Sequence, residues 1–225
     1  MPFTKSLTAR RLAFAALAGA AAIAVPLAAQ TGAMQKPGAR EASRVSGGTY
    51  TADPNHSMVG WRVDHLGITP YFGMFGDVTG TLQLDPKNPS AAAVDVTIPV
   101  SRVTTASAGL TQHLLRAPAA AGGKPDFFGP APADARFRST AVVADTRTGN
   151  AKVTGNLTLN GVTRPVTLDV RFYGAGTAPQ QMGGGEQVGF EAKGMVRRSE
   201  FGLGMGVPMV SDEVQLDIVA AFGKK

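Results

Sequence analysis

The stretch AKVTGNLTLNGVTRPVTLDVRFYG, from Ala151 to Gly174, decides the fold. Val153, Gly155, Leu157 and Leu159 share one parity, and Lys152, Thr154, Asn156 and Thr158 share the other. After Asn160-Gly161 the alternation resumes, with Val166, Leu168, Val170 and Phe172 set against Thr167, Asp169 and Arg171. A period of two sends alternate side chains to opposite faces of a strand. With β-branched residues on both sides of an Asn-Gly pair, the stretch predicts two antiparallel strands joined by a tight turn.

The same pattern recurs on either side. Val59, Trp61, Val63 and His65 alternate with Gly60, Arg62 and Asp64, and Val78, Gly80, Leu82 and Leu84 with Asp77, Thr79, Thr81 and Gln83. Val94, Val96, Ile98 and Val100 follow, with Pro99 marking a bulge or local edge because proline cannot donate to a ladder. In all, eight strands are predicted, near 58–66, 75–84, 92–102, 136–145, 151–159, 164–173, 187–197 and 212–222. The one helical segment is Thr104 to Arg116, whose Leu110, Leu114 and Leu115 suit one end of a sheet core. Residues 117–135, rich in Pro, Gly and Ala, form a loop carrying Phe127 and Phe128. No regular helices separate the strands, so a βαβ organisation is disfavoured, and a sandwich and a closed barrel are the two architectures left. Eight strands close into a barrel that is either filled by side chains or holds one small ligand. Gly80, Gly155 and Gly194, inside strands, suit sharp curvature or space for a ligand.

Residues 1–29 read as a signal peptide: Lys5, Arg10 and Arg11 precede an apolar run from Leu12 to Val25, and Pro26-Leu27-Ala28-Ala29 supplies small residues for cleavage. Arg10-Arg11 also gives the leader a twin-arginine look. Residues 30–48 have no period and read as a flexible tether, which leaves 49–225 as the folded domain. The formal charge of +6 is concentrated at this front end, since the leader carries three uncompensated cations and the tether a further net +2. The domain itself is nearly neutral, which argues against a nucleic-acid surface. The chain has no cysteine, so no disulfide and no lipid-modified cysteine can hold it.

No sharp catalytic motif emerges. His56, His65 and His113 are the three histidines, and nothing in their spacing or neighbours builds a zinc site. Asp53, Asp64, Asp212 and Glu213 sit at turns, where solvation is the default. Ser57 and Ser199 lack a nucleophile-elbow motif, and Gly202-Leu203-Gly204-Met205-Gly206 lacks the Lys-Ser/Thr of a phosphate loop. The aromatics carry more weight, because an apolar ligand needs an apolar cavity and few polar groups. Arg62, Arg164, Arg197 and Arg198, at strand ends, are candidates for the polar end of such a ligand, though such residues are more often solvated.

Three blocks carry a resemblance. Asp53-Pro54-Asn55-His56-Ser57 with Val63-Asp64-His65-Leu66-Gly67 and Phe72-Gly73-Met74-Phe75 comes first, and the run from Gly155 to Leu168 second. Arg198-Ser199-Glu200-Phe201-Gly202 followed by Ser211-Asp212-Glu213-Val214 closes the set. In this order, over about Thr49 to Phe222, the chain resembles the YceI-like family. The resemblance implies an all-β, eight-stranded antiparallel lipocalin-like barrel with one short helix. It also implies a non-enzymatic, exported bacterial protein, periplasmic or secreted. Such a protein would bind, transport or store an amphiphilic isoprenoid lipid, a polyprenyl phosphate or an isoprenoid quinone of the ubiquinone type. No cofactor is expected apart from that lipid, no nucleic-acid partner, and no membrane span once the leader is removed; pairing of two chains stays open. One departure stands out: where the family carries Arg-Asp-x-His-Leu, this chain has Leu110-Thr111-Gln112-His113-Leu114.

The candidate ligand contacts are Trp61, Val63, His65, Phe72, Phe75, His113, Leu114, Phe128, Phe137, Leu168, Phe172 and Phe190. The alternative reading is a barrel with a packed core that meets a protein partner through its surface or the 117–135 loop. A continuous elongated cavity favours the first reading, and a filled interior with an exposed apolar patch the second.

Overall fold

The computed structural model describes residues 35–224, so the leader at 1–29 and the first residues of the tether lie outside the described part. In chain order the strands are β1 (Gly38–Ala39), β2 (Gly48–Ala52), β3 (Met58–His65), β4 (Thr69–Phe75), β5 (Thr79–Leu84), β6 (Ala93–Ile98) and β7 (Val103–Thr105). The helix α1 (Ala108–Leu114) follows, then β8 (Ala135–Asp145), β9 (Asn150–Leu159), β10 (Val162–Thr177), β11 (Glu186–Arg197) and β12 (Glu213–Lys224). The Ala151–Gly174 stretch is the β9–β10 hairpin, with Leu159 opposite Val162 and Val153 opposite Leu168. Its turn places both Asn160 (φ 51°) and Gly161 (φ 75°) in the left-handed region, the geometry that matches strand twist and that Asn-Gly tolerates best.

Eight long strands close on themselves, the number the sequence pattern predicts. Three run further than predicted and are each bent into two pieces, β2 with β3, β4 with β5, and β6 with β7. β2, most of β4 and β7 lie outside the predicted ranges, and β7 shortens the predicted helix to Ala108–Leu114. On one edge of β12, Ile218 pairs with Val59 of β3 and Phe222 with Ala52 of β2. From there each strand pairs antiparallel with the next, through Tyr50↔Leu82, Trp61↔Gly73, Leu82↔Val94 and Val96↔Phe137. Val142↔Val153, Val153↔Leu168, Val170↔Ala192 and Phe190↔Ala220 complete the ring back to β12. The sheet is therefore an eight-stranded up-and-down barrel with one short helix, and closure removes the edges that an open sheet would expose.

The bends have local causes. Between β2 and β3, Asp53 accepts the Asn55 N–H at 2.9 Å and contacts His56 Nδ1 at 2.6 Å. The buried Ser57 then repairs the interrupted ladder, its hydroxyl donating to Ala221 O at 3.1 Å and accepting the Ala221 N–H at 3.0 Å. β6 stops at Ile98, and Pro99 opens a short 3₁₀ turn over Val100–Arg102, where the sequence places a bulge or edge. Gly80 takes φ +134°, and a Cβ there would strike the backbone of Asp95 and Val96, so this position does require glycine.

The inward parity is the apolar one in most strands, and β4 is apolar on both, with Phe72 and Met74 facing outward. Tyr50, Leu82, Val188 and Phe222 are buried near the lower end, Phe137, Val153, Leu168 and Ala192 at mid-height, and Val78, Ile98, Val100 and Ala135 near the upper end. The upper end is the one that carries the β3–β4 and β9–β10 turns and the β11–β12 connection. The room left by the strand glycines goes to neighbouring side chains: the Phe137 ring lies 2.5 Å from where a Gly155 Cβ would stand, and Leu168 lies 2.6 Å from that of Gly194. The ligand space expected at these two glycines is thus already filled.

The segment read as a tether departs from that reading over its described part. β1 pairs with β10, Arg40 donates to Thr148 O at 2.9 Å, and Val45 is buried among Tyr50, Leu82 and Phe222. Glu186 anchors the crossing, accepting from the Ser46 N–H at 2.8 Å and from the Tyr50 hydroxyl at 2.6 Å. Burial would raise the Glu186 carboxyl, yet the Ser46 and Tyr50 bonds prevail and hold it below the usual carboxylate range. A Gly-Ala-Ser composition does not reveal one valine and one serine positioned for such contacts. Among the described residues no helix is long and apolar enough to cross a membrane.

Candidate functional site

The barrel interior is not filled. A cavity of about 720 Å³ runs along it, lined from the lower end (Val45, Leu84, Phe172) through mid-height (Val96, Leu168, Ala192) to the upper end (Tyr71, Leu110, Phe127). At the upper end it meets solvent between exposed His65 and the half-buried Tyr71, Leu110 and His113. The lower end also reaches the surface, beside exposed Thr146 and Asn150, under the 38–47 crossing.

Eleven of the twelve candidate positions line this cavity: Trp61, Val63, His65, Phe75, His113, Leu114, Phe128, Phe137, Leu168, Phe172 and Phe190. Phe72 does not. It lies on the outward parity of β4, 67% exposed, while its neighbours Tyr71 and Gly73 face inward. An aromatic-rich run with no polar alternation hides its own parity, and the register opposite Arg62 decides it. We expect Phe72→Ala to change stability by no more than about 0.5 kcal/mol, as for surface sites generally, and to leave any cavity occupant unaffected. Thermal denaturation together with extraction of bound molecules checks both.

The upper wall is built by the helix and the loop after it. Ser107 caps α1, its hydroxyl accepting the Leu110 N–H at 3.3 Å. The loop returns over the helix end through a Phe128 N–H donated to Leu114 O at 3.0 Å, and the Phe128 ring meets Phe75 edge-on at 5.8 Å. Phe127 packs edge-on against His113 at 5.4 Å. The charged partner that the helix lacks in its own sequence comes from this loop: Asp126 contacts His113 Nε2 at 3.0 Å and accepts from Arg116 at 2.8 Å. The Arg116 and His113 bonds hold the Asp126 carboxyl below the usual carboxylate range. Within the 117–135 loop, Phe127, Phe128 and Ala135 line the cavity, whereas residues 119–124 are exposed.

Polar groups on the wall are few. Trp61 Nε1–H is buried and has no hydrogen-bond partner. The three histidines do not converge: His56 serves the β2–β3 bend, His65 the upper rim, and His113 the helix. Among the described residues no group of three or more His, Asp or Glu side chains is placed to hold a metal ion.

Among the described residues Arg198 is the one arginine or lysine on the cavity wall, and it is buried. Its guanidinium donates to Ser211 O (2.8 Å), Leu203 O (2.5 Å), Met205 O (2.8 Å) and Val210 O (2.7 Å), which commits four of its five N–H groups to the β11–β12 connection. Burial pulls the guanidinium below its usual value, and Asp212 opposes that shift. Asp212 is itself held low by the Ser199 N–H and hydroxyl. Of the four arginines considered for a head group, Arg62, Arg164 and Arg197 are exposed and off the wall, and Arg198 braces a loop.

Comparison with known proteins completes the description. The model of the YceI-like domain matches residues 50–222. Protein YceI of Salmonella arizonae is 39% identical over 164 residues, covering 72% of this chain and 79% of that protein. The crystal structure of the Campylobacter jejuni YCEI protein aligns at 29% identity with a TM-score of 0.57, over 72% of this chain and 90% of the other. BcnA of Burkholderia cenocepacia aligns at 23% identity with a TM-score of 0.59, over 76% and 98%, a likeness of fold.

Proposed function

The chain belongs to the YceI-like family, and from that membership and the shape of its interior we propose that it binds an amphiphilic isoprenoid lipid and carries or stores it outside the cytoplasmic membrane, in the periplasm or secreted. The observation that carries the reading is the continuous apolar cavity of about 720 Å³ through the length of the barrel. A filled interior would have favoured the protein-interaction alternative; an apolar tube favours a long apolar tail. Burying such a tail is worth roughly 25 cal/mol per Å² before ordering costs, so tight binding needs few polar contacts. The leader-like residues 1–29 support export.

The wall also favours a neutral head over a phosphate. Among the described residues its one arginine or lysine, Arg198, has four of five N–H groups engaged, so an anion brought alongside would find a single free donor unless those bonds broke. A quinone carbonyl needs only a donor, and the unpartnered Trp61 Nε1–H is one. The test is native mass spectrometry with organic extraction of protein purified from its own host, followed by uptake of added ubiquinone and polyprenyl phosphate. Bound isoprenoid quinone, with ubiquinone taken up at least tenfold more tightly than polyprenyl phosphate, is the expected result. Empty protein that takes up neither lipid overturns the function; equal or reversed preference overturns the choice of head.

A further inference from the structure

Exposed large apolar side chains gather where the cavity meets solvent at the upper end. Leu66 (44%) and Ile68 (81%) occupy the β3–β4 turn, and Met205 (49%), Val207 (39%) and Met209 (60%) the β11–β12 connection. The two segments are joined, since Leu66 N–H donates to Met209 O at 2.7 Å and His65 bridges Val210. They also supply the wall: His65, Leu203 and Val210 line the cavity directly beside these exposed side chains. We propose that this rim is a lipid-surface docking site, which inserts shallowly into a bilayer so that the cavity mouth opens onto the hydrocarbon from which its ligand comes.

Two observations choose a lipid surface as the occupant. The first is how the rim treats its backbone. In hydrocarbon every N–H and C=O needs an internal partner, whereas a protein partner could supply them across an interface. Here most of the rim's N–H groups are paired, those of Leu66, Gly67, Ile68, Val207, Val210 and Ser211 within the rim or to Asp64, while those of Gly204, Met205, Gly206 and Met209 have no protein partner and hold the insertion to a shallow depth. The carbonyls of Leu203, Met205, Val210 and Ser211 are taken by Arg198 from beneath, and those of Gly204, Gly206 and Met209 by neighbouring N–H groups. The buried guanidinium thus finishes a loop whose outer surface is apolar side chains. The second is the contrast between the two ends. Around the lower opening the turns are Asp145-Thr146-Arg147-Thr148 and Asp85-Pro86-Lys87-Asn88, which suit water and not lipid. Met182 is exposed at the lower end but stands beside Gln180, Gln181 and three glycines, so among the described residues the clustered apolar rim is at the upper mouth.

This inference rests on the lipid-binding reading above, and its test separates the two. The chain has no cysteine, so single replacements Ile68→Cys, Met209→Cys and, at the lower end, exposed Met182→Cys accept one environment-sensitive nitrobenzoxadiazole dye each. With vesicles of phosphatidylethanolamine and phosphatidylglycerol, the dyes at 68 and 209 will shift to the blue, brighten severalfold and be quenched by brominated acyl chains. The dye at 182 will not respond. Since apolar side chains form the contact, the response will survive 0.5 M salt, which removes most surface electrostatics. In parallel, Ile68→Asp/Met209→Asp will slow ubiquinone uptake from vesicles at least tenfold while leaving uptake from detergent solution unchanged. Silent dyes at 68 and 209, an equal response at 182, or a blue shift that follows protein concentration without vesicles (a second copy on the rim) overturns the proposal. Failure of uptake from detergent by the unaltered chain instead counts against the lipid-binding function, whatever the dyes report.

Discussion

Arg198→Met will cost about 3 kcal/mol of stability, the largest single-residue effect we expect outside the packed core. Methionine matches the length and apolar stem of arginine, so packing is nearly kept and the change isolates the hydrogen bonds. The carbonyls of Leu203, Met205, Val210 and Ser211 lose their donor together. Each acceptor left buried costs about 1–3 kcal/mol, but Met205 is half exposed and can be rehydrated, and a buried guanidinium no longer has to be desolvated. Those offsets hold the total near 3 kcal/mol, well short of the sum. For a chain of this size that corresponds to a fall in Tm of roughly 6–12 °C. Arg198→Lys keeps the charge but loses the planar fork, and it will fall between wild type and Met. Thermal and urea denaturation measure both variants. Loss of less than about 0.5 kcal/mol in Arg198→Met would mean that the loop does not depend on this brace.

The second large effect concerns the cavity. Ala192→Phe will reduce lipid recovered with the purified protein more than tenfold while the barrel still folds. Ala192 lies on the inward parity of β11 at mid-height, opposite Val170, where a ring can extend only into the cavity. A phenyl group there displaces about three methylenes of a bound tail, each worth about 0.8 kcal/mol of burial. Since 1.4 kcal/mol is a factor of ten, the loss exceeds tenfold even if the remainder of the tail rebinds. Overpacking a filled core would cost about 1–3 kcal/mol, whereas empty space accepts the ring at little cost, so retention of Tm is itself informative. Extraction and mass spectrometry read the lipid, and thermal denaturation reads the fold. Unchanged lipid content in a folded Ala192→Phe protein would place the ligand elsewhere than in the barrel.

Much of this molecule was legible before its coordinates. In β9 and β10 the alternation of Val153, Leu157, Leu168 and Val170 with Lys152, Asn156, Thr167 and Asp169 corresponds residue by residue to the inward and outward faces. Parity is local and needs no knowledge of partners, which is why it reads well. Reading failed where parity had no polar member to anchor it, as at Phe72, and where composition stood in for position, as at Val45 and Ser46 in the N-terminal crossing. Arg198 shows a third kind of limit. A lone arginine near a strand end resembles a ligand contact, and only its four carbonyl partners, brought together by the β11–β12 connection, turn it into a brace.

By itself, then, the sequence determined eight strands, their buried faces, the Asn160-Gly161 turn and the family, because each rests on short-range periodicity or on contiguous residues. Whether the inward faces meet or stand apart was left to the tertiary structure. Strand number and apolar parity are the same for a packed barrel and a hollow one. What separates them is the tilt and register with which β12 closes onto β2 and β3, and that is a long-range property carried by Phe222↔Ala52 and Ile218↔Val59 together. The same closure brings Leu66 and Ile68 beside Met205 and Met209, residues about 140 positions apart, and so assembles an apolar rim that no local pattern announces.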